Sequence, residues 1–156
     1  MVEIGSTAPA FTLVNSARTA TSLGDFAGKK VVLVFYPGAF TGVCTKEMCT
    51  FQDSMTALNG LDAAVLGISV DGPFANAEFA AKNKLAFPLL SDFNHAVVNA
   101  YGVALANFAG VEGYTTAQRS VFVIDKGGVV RFKWVAENPG IEPDYDAVIK
   151  AVEAIS

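Results

Sequence analysis

The chain has 156 residues, 52% of them apolar, with 11 Lys and Arg against 15 Asp and Glu for a formal net charge of −4. That is enough apolar material for one domain, residues 1–156, with a full core and no need of covalent staples. A mildly acidic chain without a basic cluster is a poor match to nucleic acid or an anionic membrane surface, and apolar runs as short as Val31–Tyr36 and Ala63–Val70 cannot span a bilayer.

The opening Met1-Val2-Glu3-Ile4-Gly5 has neither the cationic region nor the apolar stretch of a leader, so a cytoplasmic location is expected. In a reducing compartment, two cysteines in a self-sufficient domain are catalytic or inert rather than a structural bridge. Ala8–Val14 reads as a short extended piece, Asn15–Arg18 as a turn, Thr19–Ser22 as a returning strand and Leu23–Gly28 as a compact turn. Lys29 and Lys30 read as a solvated pair. Val31–Tyr36 is continuously apolar and β-branched, the pattern of a strand buried on both faces. After Pro37 and a loop with two glycines, a helix is expected from Thr41 to Asn59. Its apolar stripe is Phe51, Met55 and Leu58, its wet side carries Lys46, Gln52, Asp53 and Asn59, and Gly60 stops it.

Ala63–Val70 is a second buried strand. Asp71-Gly72-Pro73 turns the chain into a helix reaching about Lys84, on a stripe of Phe74, Ala77, Ala81 and Leu85. Phe87–Leu90 is extended, Asn94–Tyr101 helical, and Gly102–Gln118 a loop with short strand content. Ser120–Ile124 and Val129–Val135 form a hairpin across Asp125–Gly128, and Asp144–Ile155 closes the chain as an amphipathic helix on Tyr145, Val148, Ile149, Val152 and Ile155. This order predicts an α/β fold, a thioredoxin-like three-layer domain with a central mixed β-sheet flanked by helices. The site is expected past the carboxyl end of a central strand.

Both cysteines fall in the opening turns of the first helix. Backbone N–H groups lack intrahelical partners there and favour a thiolate. By position alone, Cys44 reads equally as a reactive thiol and as a small buried hydrophobe. Pro37 fixes the loop and donates no hydrogen bond, and Thr41 offers a hydroxyl that donates and accepts. Both also fit ordinary turn chemistry. His95 has no partner at ligand spacing and reads as a helix residue, and Trp134 reads as packing.

Pro37-x-x-x-Thr41-x-x-Cys44 resembles the active-site signature of the peroxiredoxins, and the likeness extends over Phe35–Phe51. Ala8-Pro9-x-Phe11, Ser91-Asp92-Phe93-Asn94, Tyr101-Gly102-Val103 and Gln118–Asp125 are similar to family segments in the same order. The resemblance implies a thiol-dependent peroxidase acting on hydrogen peroxide or organic hydroperoxides, without metal, haem or flavin. Cys44 would be the peroxidatic cysteine and pass through a sulfenic acid. Thr41 would orient the peroxide and hydrogen-bond the sulfur, Pro37 would screen the site, and Arg119 would bring a cation to the thiolate and the reacting oxygens. Without the resemblance, Arg119 reads as a surface cation. Glu47 matches an acidic position of several branches and equally reads as a solvated helix carboxylate.

Cys49 has the spacing of the resolving cysteine in the Q-type (bacterioferritin-comigratory) branch, whereas Ala39-Phe40 resembles the E-type branch, where an external thiol resolves the sulfenic acid. Within one helix, residues five apart are about 7.5 Å apart along the axis and about 140° around it, whereas a disulfide needs Cα atoms within about 7 Å. A Cys44–Cys49 bond therefore requires this segment to unwind. Cys49 is either the resolving cysteine or a buried helical thiol. Thioredoxin, glutaredoxin or a low-molecular-weight thiol is the expected reductant, and a homodimer is the expected assembly, with Phe40, Phe93 and Phe108 as contributors or core residues. The competing readings are a thioredoxin-like disulfide oxidoreductase, which Cys-x-x-x-x-Cys spacing does not suit, and a non-enzymatic redox sensor.

Overall fold

The strand leading into the cysteine segment, β3 (Lys30–Phe35), lies near the centre of the sheet in the computed structural model, which describes residues 2–155. It pairs in parallel with β4 (Ala63–Ser69) and antiparallel with β8 (Ser120–Ile124). β4 pairs in parallel with β5 (Leu89–Ser91), and β5 antiparallel with β1 (Thr12–Asn15), whose hairpin partner is β2 (Ala20–Ser22). On the other side β9 (Val130–Val135) closes the hairpin with β8, across a register shift at Val123/Ile124. The seven-stranded order is β2-β1-β5-β4-β3-β8-β9, a mixed sheet with helices on both faces.

Two-residue periodicity sorts the central strands between two cores. Val31, Leu33 and Phe35 face one, with Leu66, Ile68, Phe122 and Ile124; α4 (Ala96–Ala100) adds Val97 and Val98. Val32, Val34 and Tyr36 face the other, with Val65, Val121 and Val123. The second face is covered by α1 (Gly42–Asp53), α2 (Met55–Gly60), α3 (Pro73–Lys82) and α5 (Tyr145–Glu153) through Met48, Phe51, Leu58, Phe79, Val148 and Val152. Each such apolar side chain taken fully out of water contributes about 1.5–3 kcal/mol. Trp134 packs against this second core, as expected of a packing residue.

Several expectations need correction. The helix after the loop is two: α1 ends at Asp53, and Ser54, whose hydroxyl bonds back to the Thr50 carbonyl, separates it from α2. Gly60 is the last residue of α2, and the left-handed residue that turns the chain is Asp62, at φ 59°. Lys30 is buried rather than solvated, because its ammonium donates to the Val152 carbonyl. On α3, Phe74 and Ala81 are exposed, whereas Asn76 and Phe79 are buried. An apolar stripe could not locate this face, since one of its anchors is an amide. His95 stands outside α4 as its N-cap, at φ 66°, with Nε2 against the Thr115 carbonyl. Within 102–118 the chain forms a two-stranded ribbon of β6 (Ala104–Leu105) and β7 (Thr116–Ala117).

Gly67 of β4 ties the core to the loop beyond β3: a Cβ there would stand 2.6 Å from a Leu89 methyl and 3.4 Å from the Tyr36 ring. Gly67→Ala is expected to destabilise the fold by about 1–3 kcal/mol through overpacking, read as a lowered urea midpoint at unchanged slope.

Candidate active site

The register of β3 and β8 builds the site. Phe35 pairs with Ser120, so Arg119 lies beside Tyr36, where β3 gives way to the loop carrying Pro37. This pairing brings Arg119 to Cys44 across 75 positions of sequence. Pro37 and Gly38 are buried, Ala39 is half-buried and Phe40 is exposed. Phe40 sits at φ 66°, a left-handed conformation that costs an aromatic residue about 1–2 kcal/mol. Its ring leans edge-on against Phe79.

Thr41 has extended backbone angles and is the N-cap of α1. Its carbonyl accepts the Thr45 N–H at 2.9 Å, while its hydroxyl makes no cap bond and donates instead to the Gly38 carbonyl at 2.9 Å. The expected bond from Thr41 to the sulfur is therefore not what its single proton serves here. With no capping oxygen, the N–H groups of Gly42, Val43 and Cys44 are left as the unfilled donors of the helix start.

Cys44 is fully buried, and its Sγ lies 3.1 Å from Arg119 Nη2. Arg119 is only 2% exposed, so it is not a surface cation. Its Nη1 donates to Glu47 Oε1 at 2.8 Å, and Nε and Nη2 both donate to the Pro139 carbonyl, at 3.0 and 2.9 Å. Burial alone would pull Arg119 down; the negative charge of Glu47 and Cys44 more than offsets this, and the guanidinium stays charged. Glu47 is fully buried, not a solvated carboxylate, and its Oε2 has no hydrogen-bond partner among the described residues. Burial pushes it up to about 7 against the downward pull of Arg119.

Cys49 does not join this cluster. It lies on the same unbroken helix as Cys44, half-buried, with its Sγ toward Asn83 Oδ1 at 3.7 Å; both thiols are free. A strap after β9 closes over α1: Glu142 takes Lys46 Nζ at 3.1 Å and the Tyr145 hydroxyl at 2.7 Å, and Tyr145 packs edge-on against Phe51. Of the residues singled out in the sequence, Arg119 is in direct contact with Cys44 and Glu47, and Thr41 and Pro37 lie in the loop that leads into α1. Sequence reasoning missed the Pro139 carbonyl, because a backbone acceptor has no side-chain signature.

The AhpC/TSA family profile matches residues 4–133. The chain belongs to that family. A peroxiredoxin is a thiol-dependent peroxidase, and this protein is one. It is 42% identical over 130 residues to the putative peroxiredoxin bcp of Haemophilus influenzae, covering 83% of each chain. It is 40% identical to alkyl hydroperoxide reductase E of Mycobacterium tuberculosis, covering 100% of this chain and 99% of that one. Among solved structures, peroxidoxin BcpB from Mycobacterium tuberculosis superposes with a TM-score of 0.89 at 30% identity, covering 100% of this chain and 99% of the other. Identity does not separate the two branches that the sequence resembles.

The raised Glu47 makes a signed prediction. Folded, this carboxyl holds its proton to about pH 7; unfolded, it releases it near its ordinary value of about 4.3. Its contribution to stability is thus present below the unfolded value and lost as pH rises toward 7. Relative to Glu47→Gln, which cannot titrate, the wild type should lose up to about 3 kcal/mol between pH 4.5 and 7.5, measured by urea unfolding of both proteins across that range.

Proposed function

We propose that Cys44 is the sulfur that attacks the peroxide. The observation that carries this reading is the buried Arg119 Nη2 at 3.1 Å from Sγ, beside the unfilled N–H donors that open α1. A fixed cation and oriented N–H groups are placed to stabilise negative charge developing on the reacting oxygens beside the sulfur. The thiolate attacks the terminal oxygen of R–O–OH, the O–O bond breaks, sulfur keeps the OH as a sulfenic acid, and RO⁻ takes a proton to leave as ROH. Negative charge moves from sulfur to the leaving oxygen, and the same donors serve both ends. Thr41, its proton given to Gly38, presents oxygen lone pairs to the peroxide O–H. Pro37, buried and without an N–H, keeps a competing donor and water away. Glu47 and the Pro139 carbonyl hold Arg119 in place.

Cys49 then resolves the sulfenic acid, expelling water and forming a disulfide after α1 unwinds, or an external thiol does so directly. The two sulfurs face different partners, Arg119 and Asn83, which supports unwinding as the condition for the first route. Thioredoxin, glutaredoxin or a low-molecular-weight thiol returns the electrons. The reading takes 1–156 as one domain, acting in the cytoplasm; among the described residues no helix is long and apolar enough to cross a membrane. It also takes the assembly to be a homodimer, for which Phe40 and Phe93 are among the exposed apolar groups, while Phe108 is half-buried against Tyr114.

Cys44→Ser should abolish peroxide consumption in a coupled thiol assay, and turnover by that variant would overturn the assignment. Arg119→Met should slow oxidation of Cys44 by roughly 10²–10³-fold in stopped flow, the scale for losing one donor to developing charge. Thiol counting after one equivalent of peroxide settles Cys49. A resolving role predicts loss of both thiols in the wild type and a persistent sulfenic acid in Cys49→Ser; a wild type that keeps Cys49 free excludes it.

A further inference from the structure

We propose that Asp71 is a positioning residue for the peroxide reaction, holding the Gly38–Ala39 peptide in the orientation that fixes the hydroxyl of Thr41. Asp71 lies just past β4, and β4 is the parallel neighbour of β3, with Phe35 paired to Ile68. The turn after β4 therefore stands beside the loop after β3. Its carboxylate Oδ2 accepts the Ala39 N–H at 2.8 Å. The other end of the same peptide unit, the Gly38 carbonyl, accepts the Thr41 hydroxyl at 2.9 Å. One peptide plane is thus clamped between a carboxylate and the hydroxyl that faces the substrate. While the clamp holds, Thr41 spends its proton on Gly38 and turns its lone pairs outward as an acceptor. If the plane flips, that acceptor is lost and the left-handed Phe40 next in sequence loses its support.

Asp71 is itself held through Oδ2 and its backbone. Its Oδ2 also takes the Ser69 hydroxyl at 2.9 Å, its N–H donates to Ser69 Oγ at 3.2 Å, and its carbonyl accepts the Ser91 hydroxyl and Asn76 Nδ2. Asn76 Oδ1 in turn accepts the Tyr36 hydroxyl at 2.8 Å, one residue before Pro37. Ser69, Asn76, Ser91 and Tyr36 are all buried. Ser69 Oγ stands 2.9 Å from Asp71 Oδ2 and 3.3 Å from Asn76 Oδ1, so the connected polar groups restrict where the carboxylate points. Among the described residues no cation pairs with Asp71, so ion pairing does not account for the carboxylate, whereas gripping a backbone N–H does.

The proposal rests on Cys44 being the attacking sulfur, and oxidation of wild-type Cys44 by hydrogen peroxide is the control: if it fails, that reading fails before Asp71 is tested. Two rates are then compared in Asp71→Ala and Asp71→Asn, oxidation of Cys44 by hydrogen peroxide and its alkylation by iodoacetamide, which needs a thiolate but no oriented peroxide. Asp71→Ala should slow oxidation by fivefold or more, toward the roughly hundredfold scale of a misplaced reacting group. Alkylation should stay within about threefold, and Asp71→Asn, which keeps a carbonyl acceptor, should return oxidation to within about threefold of wild type. Less slowing than fivefold, a matching fall in alkylation, or an asparagine variant as slow as alanine would each overturn the proposal. If Asp71→Ala does not fold, deuterium exchange at the Ala39 amide of the wild type decides: protection supports the clamp, and exchange at the open-chain rate refutes it.

Discussion

One buried cation organises this protein. Arg119 is all but sealed from solvent, and a guanidinium in that position is tolerable only if its donors are filled and its charge is answered. Two acids compete to answer it: Glu47 at 2.8 Å and Cys44 at 3.1 Å. If both ionised, the site would carry a net negative charge away from water. Burial pushes Glu47 up to about 7 against the pull of Arg119, and the guanidinium keeps its contacts to both groups. The Pro139 carbonyl supplies geometry without charge: it fixes the guanidinium plane through two donors and leaves the balance between the two acids unchanged.

The helix that carries Cys44 is built from a different principle. α1 contains Gly42, Val43, Thr45 and Thr50 along with the two cysteines, all below alanine, leucine or lysine in helix propensity. Thr45, Thr50 and Ser54 each bond back to the carbonyl four residues earlier, an arrangement that bends helices and weakens them slightly. The segment is held helical mainly by burial of Met48 and Phe51 and by the strap through Glu142 and Tyr145. The Lys46–Glu142 pair is solvent-exposed on the lysine side and is worth at most about 1 kcal/mol. The proposed disulfide with Cys49 requires this helix to unwind, and its weak propensity lowers that cost while the burial of Met48 and Phe51 raises it.

Much of this was legible in the sequence. Apolar runs located β3 and β4 because strands buried on both faces leave no other pattern. The Asp125–Gly128 turn marked the β8–β9 hairpin, and helix arithmetic kept Cys49 out of reach of Cys44. What was hidden follows a common cause: groups whose function is polar and whose position is buried. Asn76 stands where an apolar stripe was sought, Lys30 reaches a carbonyl from inside the sheet, and Asp71 read as a turn residue only. Propensity also cannot announce a hydroxyl that bonds backwards, so the break at Ser54 passed unseen. Arg119 was found through resemblance alone, since nothing local distinguishes it from an exposed arginine opening a strand.

The two halves of the site differ in how firmly they are held, and the difference suits a cyclic reaction. Arg119 and Asp71 sit at the ends of β8 and β4, which flank β3 in the middle of the sheet, where opening would expose both cores at once. Cys44 and Thr41 sit on a loop and a weak helix that can leave and return. On the proposed disulfide route, in which α1 unwinds, Arg119 and Asp71 stay where the strands put them. The returning segment then meets a fixed guanidinium for its sulfur and a fixed acceptor for the Ala39 N–H, and must satisfy both to refold. On that route Glu47 and the N–H donors of α1 travel with the sulfur, and Arg119, held by the Pro139 carbonyl, is the charge facing sulfur that stays.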